Sequence, residues 1–304
     1  MHDDYKELIL DICKKLDIKV SCLSNNWIFM LEKNNKTRFI TGFNFGLDSH
    51  TVGNILDDKF ATYDVLKHKN IPVVEHNLVY SSNNKNNYAK EYNSYSYVLD
   101  LFNKYNRDIV LKINSGSCGV RVYHICDEDK LKEKFSTIGD IQSFSLSPYM
   151  DIINEYRVIV LNGEVRLFYK KYKPSVIGNG VNTINELFRE FNYSYFKDID
   201  ISDDILEDGK IYEYDWKFNL SRGGIASLDI DDNIKKDILD IALNVQKIIN
   251  LQFGSIDVIK TKDSNYILEI NGGVMMRNIL LQKPELKNTI ESIYMDAIKL
   301  LMED

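Results

Sequence analysis

The sequence is short of most things that would identify it quickly. Four cysteines (Cys13, Cys22, Cys118 and Cys126) form no Cys-x-x-Cys pair and have no histidine at zinc-ligand spacing, so reduced thiols in a cytosolic protein are the expectation. No stretch approaches the roughly 20 apolar residues needed to cross a bilayer, and the opening MHDDYKELIL lacks a basic region followed by an apolar run, so no signal peptide is read there. Positive charge is in deficit. The net charge is −7, which excludes the broad basic surface of a non-specific nucleic-acid binder. Proline is scarce, at four residues, and no internal repeat is found. No Gly-x-Gly-x-x-Gly turn supports a dinucleotide-dependent dehydrogenase, and no Gly-Lys-Ser/Thr ending supports a Walker A loop. No Ser/His/Asp or Cys/His set supports a covalent hydrolase, and His50, His68, His76 and His124 are scattered with no ligand role assigned.

What is present is an ordinary globular composition, 44% hydrophobic and 27% charged over 304 residues, enough for two or three packed lobes. Apolar spacing predicts an opening helix with Leu8, Ile9, Ile12 and Leu16 on one side, then strands at 27–31 and 37–40. The turn-rich GFNFGLDSH, residues 42–50, links that lobe to a helix over 57–70 and a strand over 71–76. A polar, Asn-rich loop follows and leads into a helix through Tyr105. Strands are expected at 108–113, 119–125 and 144–150, with a helix over 127–135. Residues 155–172 read as a hairpin turning at Asn162-Gly163. A helix capped by Asn182 or Thr183 follows, then a long helix over 231–250, strands at 253–260 and 265–271, and a closing helix over 285–302. Mixed helices and antiparallel hairpins place the chain in the α+β (mixed α/β) class.

Three constellations carry chemistry. In KINSGSCGV, Lys112 ends a buried strand and Ser115, Gly116, Ser117 and Gly119 form a small-residue loop where backbone N–H groups can approach a phosphate; the competing reading is a plain glycine hairpin with a surface lysine. In FGSIDVIKTKDSNYILEIN, Asp257 interrupts an apolar strand, and Glu269 and Asn271 lie two apart on the next strand, facing one way. Two carboxylates and an amide oxygen form a hard oxygen set suited to magnesium, against the alternative of a solvated face paired with Lys260 or Lys262. A basic set, Arg157, Arg166, Lys170, Lys171 and Lys173, offers Arg157 and Lys171 as phosphate contacts, with Arg166 and Lys173 read as a solvated strand face. Arg222 and Arg277 stand near glycines and suit carboxylate or phosphate recognition, although a surface arginine explains either one alone.

In this order, from about Asp57 to Asn271, the three segments resemble the ATP-grasp superfamily, and within it the RimK-type, glutathione-synthetase-type and cyanophycin-synthetase-type ligases. DIVLKINSGSCGVRV looks like the family's strand, lysine and glycine loop. IGNGVNTINEL is similar to its G-x-G-x-x-T-I-x-E-L passage, and FGSIDVIKTKDSNYILEINGG looks like its metal-binding strands. The resemblance implies an N-terminal pre-ATP-grasp lobe over 1–56, a first subdomain over 57–150 and a C-terminal subdomain with the metal site over 151–304, the two subdomains gripping the nucleotide. It implies ATP as cofactor, with one or two magnesium ions, or manganese, on Asp257, Glu269 and Asn271. Lys112 and the Ser115–Gly119 backbone would take the phosphates, with Lys59 as an earlier phosphate-side lysine. The strand end at Pro148, Tyr149 and Met150 would present main chain to adenine, and Glu155 would reach the ribose. Lys171 or Arg157 would sit by the γ-phosphate, and Asn219 and Arg222 would orient the acyl phosphate or incoming substrate. Gly272, Gly273 and Arg277 follow the final Asn, where the family often has a small residue, Pro and Gly, and would border the acceptor; Asn44, Ser49 or His50 are further substrate candidates.

The activity so implied joins a small-molecule acid to an amine, an amino acid or short peptide, through an acyl phosphate, with release of ADP and phosphate, in the cytoplasm. The family includes dimers, so a homodimer is compatible with it; neither nucleic acid nor membrane is an expected partner. Two other outcomes share the motifs: phosphoryl transfer to another acceptor, and a non-catalytic nucleotide-binding module.

Overall fold

The computed structural model describes residues 3–116, 119–139 and 143–303. Ser117, expected in the phosphate loop, and Cys118 lie outside the described residues. The N-terminal part comprises α1 (Asp3–Lys15) and a meander of β1 (Lys19–Leu23), β2 (Ile28–Lys33) and β3 (Lys36–Thr41). Next come α2 (His50–Leu56), α3 (Lys59–His68), β4 (Asn77–Tyr80), α4 (Tyr95–Lys104), β5 (Ile109–Ile113), β6 (Val122–Ile125), α5 (Glu128–Ser136) and β7 (Ser143–Pro148). The remainder holds β8 (Asn154–Leu161), β9 (Glu164–Tyr172), β10 (Ser175–Ile177), α6 (Ile184–Phe196), β11 (Ile211–Glu213), β12 (Ile225–Ser227), α7 (Asp232–Ile249), β13 (Phe253–Lys260), β14 (Asn265–Asn271), α8 (Arg277–Gln282) and α9 (Lys287–Glu303).

Two antiparallel sheets frame the molecule, a four-stranded one in the order β4-β7-β5-β6 and a five-stranded one in the order β12-β9-β8-β13-β14. The β8–β9 hairpin lies inside the larger sheet, between β12 and β13. Its turn residues Asn162 and Gly163 both have positive φ, 50° and 81°, which is the backbone a two-residue primed turn requires and which asparagine and glycine tolerate. Apolar side chains alternate across that sheet and feed two cores. Ile159, Leu161 and Phe253 pack with α1, the first meander and α9. Tyr156, Val158, Val160 and Ile256 pack with α7 and with Leu56 and Leu66 of α2 and α3. The residues expected as a first lobe therefore share one core with the last helix and the large sheet. The four-stranded sheet has its own core under α4 and α5.

Local chemistry sets the helix starts. Ser49, Asp58, Ser94 and Asp127 each accept a hydrogen bond from the first turn of the helix that follows. Of the two caps weighed for α6, Thr183 is the one used, in a reciprocal box with Glu186.

The strand expected over 71–76 does not form. Pro72 has no N–H to donate, and the segment meets β14 only through one parallel bridge at Val73–Ile267. The strand expected from residue 119 begins only at Val122, because positive φ at Gly119 (69°) and Arg121 (50°) turns the chain before the ladder starts. The short α2 begins at His50, the last residue of the linker expected at 42–50, and neither it nor β1 was expected.

Candidate active site

Antiparallel pairing decides which polar residues meet. Across the large sheet Tyr169, Arg157, Asp257 and Glu269 stand directly opposite one another on four consecutive strands, β9-β8-β13-β14, so their side chains share one face. Asn271 stands opposite Ser255, two residues from Asp257, and joins that face. The three oxygen-bearing residues expected to hold a metal are therefore together. A bulge helps: the register shifts between Asp257 and Val258, and Leu268 is the extra residue. Beyond it, Ile267 pairs with Val258 and is fully buried in the apolar core, while Glu269 stays with Asp257.

Asp257 is 3% exposed, a placement that costs several kcal/mol for an unpartnered carboxylate. It is partnered twice. Arg157 grips it in a two-pronged pair, Nε to Oδ1 at 2.7 Å and Nη2 to Oδ2 at 2.6 Å, and Lys171 Nζ lies 3.2 Å from Oδ1. Burial alone would raise the Asp257 carboxyl; Arg157 and Lys171 outweigh it and hold it down at about 2. Lys171 also donates to Glu155, whose own carboxyl is raised by burial, against Lys171 and with Asp257.

The four-stranded sheet and α3 bring the opposing charges. Lys112, on β5, is buried, and burial draws its ammonium down to about 8, with Lys59 acting in the same direction and Glu269 and Glu155 opposing. Lys59, in the first turn of α3, donates to the carbonyls of Asn114 (3.3 Å) and Gly116 (2.6 Å) and lies 3.5 Å from Glu269 Oε1. Arg157, Lys171, Lys59 and Lys112 thus stand against Asp257, Glu155 and Glu269, four cations to three carboxylates, in a region that retains positive charge inside an acidic protein.

The glycine loop reaches the other lobe. A Cβ built on Gly119 would lie 3.3 Å from Asn219 Nδ2 and 3.7 Å from the Arg222 side chain. Asn219 accepts from the Ser221 N–H and hydroxyl through Oδ1, and Arg222 is held by Asp215 at 2.6 Å. Gly272 and Gly273 face the linker over 42–50: a Cβ on Gly272 would be 4.0 Å from Asp48, and one on Gly273 3.8 Å from Phe43.

Other expected residues have different surroundings. Arg277 pairs with Asp4 of α1 at 2.7 Å. Arg166 and Lys173, read as a solvated face, pair with Asp296 and Glu213. Ser49 caps α2, His50 bonds Asn54, and Asn44 accepts from the Gly46 N–H. At the end of β7, the Tyr149 N–H donates to the Asp108 carbonyl at 3.0 Å, while Pro148 and Met150 are half-buried beside it.

Three residues not anticipated contribute. Asp215 fixes Arg222, and Asn114 ties α3 to the glycine loop, its Oδ1 accepting from the Phe60 N–H. His76 donates to or accepts from Ser145 at 2.7 Å and lines a narrow cleft with Lys59 and Glu269. Burial, then Lys112 and Lys59, lowers its imidazole well below the ordinary value, so the folded protein holds it neutral. The unfolded chain takes up that proton near pH 6.5, so the stability His76 lends is complete above that pH and lost as pH falls below it. Between pH 7 and 5.5, the stability of wild type over His76→Gln should shrink by about 1 kcal/mol, measured by urea denaturation; an unchanged difference would mean His76 titrates normally.

The donor set fits a hard divalent ion. Each carboxylate oxygen offers two lone pairs. Asp257 Oδ2 keeps one beyond Arg157, and among the described residues Glu269 makes one long ion pair, to Lys59, and Asn271 makes no side-chain hydrogen bond. Asn114 Nδ2, beside the glycine loop, is a buried donor with no partner among the described residues, a position that suits an anionic oxygen.

Comparison with known proteins shows what the chain as a whole is similar to. Residues 207–291 match the family described as a RimK-like ATP-grasp domain. The chain is 26% identical over 245 residues to a cyanophycin synthetase of Geminocystis herdmanii, covering 73% of this chain and 27% of that one. It is 26% identical over 260 residues to the alpha-aminoadipate–LysW ligase LysX of Saccharolobus solfataricus, covering 84% and 72%. It thus spans about a quarter of the length of the cyanophycin synthetase it matches. Among solved structures, a D-alanine–D-alanine ligase from Bacillus anthracis superposes with a TM-score of 0.54 at 14% identity, over 83% of this chain and 68% of that one.

Proposed function

We propose that this chain, whose fold is that of the ATP-grasp ligases, is an ATP- and magnesium-dependent carboxylate–amine ligase. The observation that carries the proposal is the row Arg157–Asp257–Glu269, opposed across the cleft by Lys59 and the neighbouring buried Lys112. Joining an acid to an amine needs a better leaving group than hydroxide. In this reading an acid's carboxylate oxygen attacks the γ-phosphorus of ATP and the bond to ADP breaks, giving an acyl phosphate and ADP. The amine then adds to the acyl carbon, phosphate leaves, and the amine's proton passes to solvent or phosphate.

The protein's share is positioning and charge. Lys112 and Lys59, with the backbone of Ser115, Gly116 and Gly119, hold the phosphates. A polyphosphate beside Lys112 restores the charge that burial weakens. Lys171 and Arg157, released in part from Asp257, face the γ-phosphoryl group, while Asn219 and Arg222 meet the acyl phosphate across the glycine loop. Asp257, Glu269 and Asn271 would hold magnesium, which when bound neutralises phosphate oxygens. Tyr149 and Met150 border the adenine, Glu155 the ribose, and the loop at Gly272 and Gly273 the acceptor. The substrates are an amino acid or short peptide on each side.

The test is a screen of amino-acid and short-peptide pairs with magnesium and ATP, following ADP, phosphate and product mass. Equal ADP and phosphate with a new amide mass is the expected result. ADP without phosphate would replace the proposal with phosphoryl transfer to another acceptor. Binding of ATP with no turnover in any mixture would replace it with a nucleotide-binding module.

A further inference from the structure

A second cluster of ligand atoms lies away from the carboxylate row, on the four-stranded sheet. In the β5–β6 ladder Ile109 pairs with Ile125, so Asp108, just before β5, stands opposite Cys126, just after β6. His124 is two residues before Cys126 and shares its face. Three different donors are thereby gathered: His124 Nε2 lies 2.6 Å from Asp108 Oδ1 and 3.3 Å from Cys126 Sγ, and Sγ lies 3.6 Å from Oδ1.

The geometry separates two uses of such a trio. In a nucleophile–base–acid relay, the thiol and the carboxylate engage opposite nitrogens of the imidazole. Here both converge on the same nitrogen, so the proton shuttle has no path and the three atoms bound a common point. Tetrahedral zinc with bonds of about 2.0 Å to nitrogen and oxygen and about 2.3 Å to sulfur separates its ligands by roughly 3.3–3.6 Å. The two sulfur edges already have those lengths. Only the His124–Asp108 hydrogen bond must open, by about 0.7 Å on the same reckoning.

The surroundings hold the donors in place. The His124 ring stacks on Tyr149, with centroids 3.9 Å apart, and Trp216 leans on both. The backbone of Asp108 is fixed by the Tyr149 N–H. Cys126 is exposed and the half-buried Asp108 keeps its side chain 48% open to solvent, so an ion can enter and keep water as its remaining ligand.

We propose that Asp108, His124 and Cys126 form a binding site for a thiophilic divalent ion, zinc above all, separate from the magnesium ligands. Thiolate with imidazole selects zinc and its neighbours over magnesium, which takes oxygen donors. Sequence spacing concealed the site, because its His and Cys are separated by a single residue, Ile125, and its Asp is remote. The proposal does not depend on the ligase reading.

Cobalt(II) is the probe, because a thiolate ligand gives it a charge-transfer absorption that oxygen ligands do not. Full-length protein, stripped of metal and kept reduced, is titrated with cobalt and then zinc. One equivalent of cobalt should raise the thiolate band, and zinc should abolish it. Glu269→Gln should leave the band intact, Cys126→Ser should remove it, and His124→Ala should weaken binding at least tenfold. A wild type without the band, or a Cys126→Ser protein that keeps it, would overturn the proposal. Because Cys126 is exposed and serine nearly isosteric, an unchanged melting curve is expected of that variant.

Discussion

Glu269→Gln should lower ATP turnover by roughly 10²–10³-fold, the range seen when one charge-stabilising group is removed from a reaction centre, while the protein melts as wild type does. The asymmetry follows from the surroundings of this carboxylate. Glu269 is half-buried, and its ion pair to Lys59, at 3.5 Å, is long. Lys59 is largely buried, but the Glu269 side chain is still reached by solvent, and at 3.5 Å such a pair is worth about 1 kcal/mol, so amidation takes little from stability. It takes a full negative charge from the place where Asp257 and Asn271 face the same way. Steady-state ADP release and a thermal melt on the same preparation suffice. Turnover within a few-fold of wild type would remove Glu269 from the metal site and leave the proposed chemistry without its cation.

Asp257→Ala should have the opposite balance, with stability suffering as well as activity. Removing one member of a buried pair costs about 3–5 kcal/mol because the partner's charge stays behind, and here Arg157 and Lys171 both stay behind. For a chain of this size that corresponds to a melting temperature lower by roughly 10 °C. Arg157→Met should cost a comparable amount alone, for the reciprocal reason. Together the two should cost less than their sum by about 0.5–3 kcal/mol, since each removes what the other leaves unpaired. Additivity within about 0.5 kcal/mol would mean that the two-pronged contact contributes little and that Asp257 is stabilised by something else.

What the sequence made legible follows the strength of the local signals. The turn at Asn162-Gly163 and the strands carrying Asp257 and Glu269 were readable to the residue, and the hairpin's start to within one, because alternation and turn chemistry agree there. So was the shared face of Asp257, Glu269 and Asn271. The ion pairs were not. That Arg157 would take Asp257 rather than stand apart depends on β8 lying next to β13, a pairing between residues 100 positions apart. His76 looked like one of several scattered histidines, and its imidazole is lowered by burial first and then by Lys112 of β5 and Lys59 of α3, none of which local sequence shows. Arg277 shows the converse: a glycine-flanked arginine suggests anion recognition, yet a carboxylate at the other end of the chain, Asp4, has claimed it.

The segment over 71–76 bears on how this molecule behaves in company. β14 is the outermost strand of the large sheet and would offer an unsatisfied rim of N–H and C=O groups, the template on which strands of other molecules add. The Val74 N–H donates to the Ile267 carbonyl at 3.0 Å and the Ile267 N–H donates to the Pro72 carbonyl at 2.9 Å, so part of that rim is already satisfied from within. The bulge at Leu268 bends what remains away from flat pairing. A failed strand thus serves as a gasket, keeping the ribbon that bears Glu269 and Asn271 from being zipped against a neighbour.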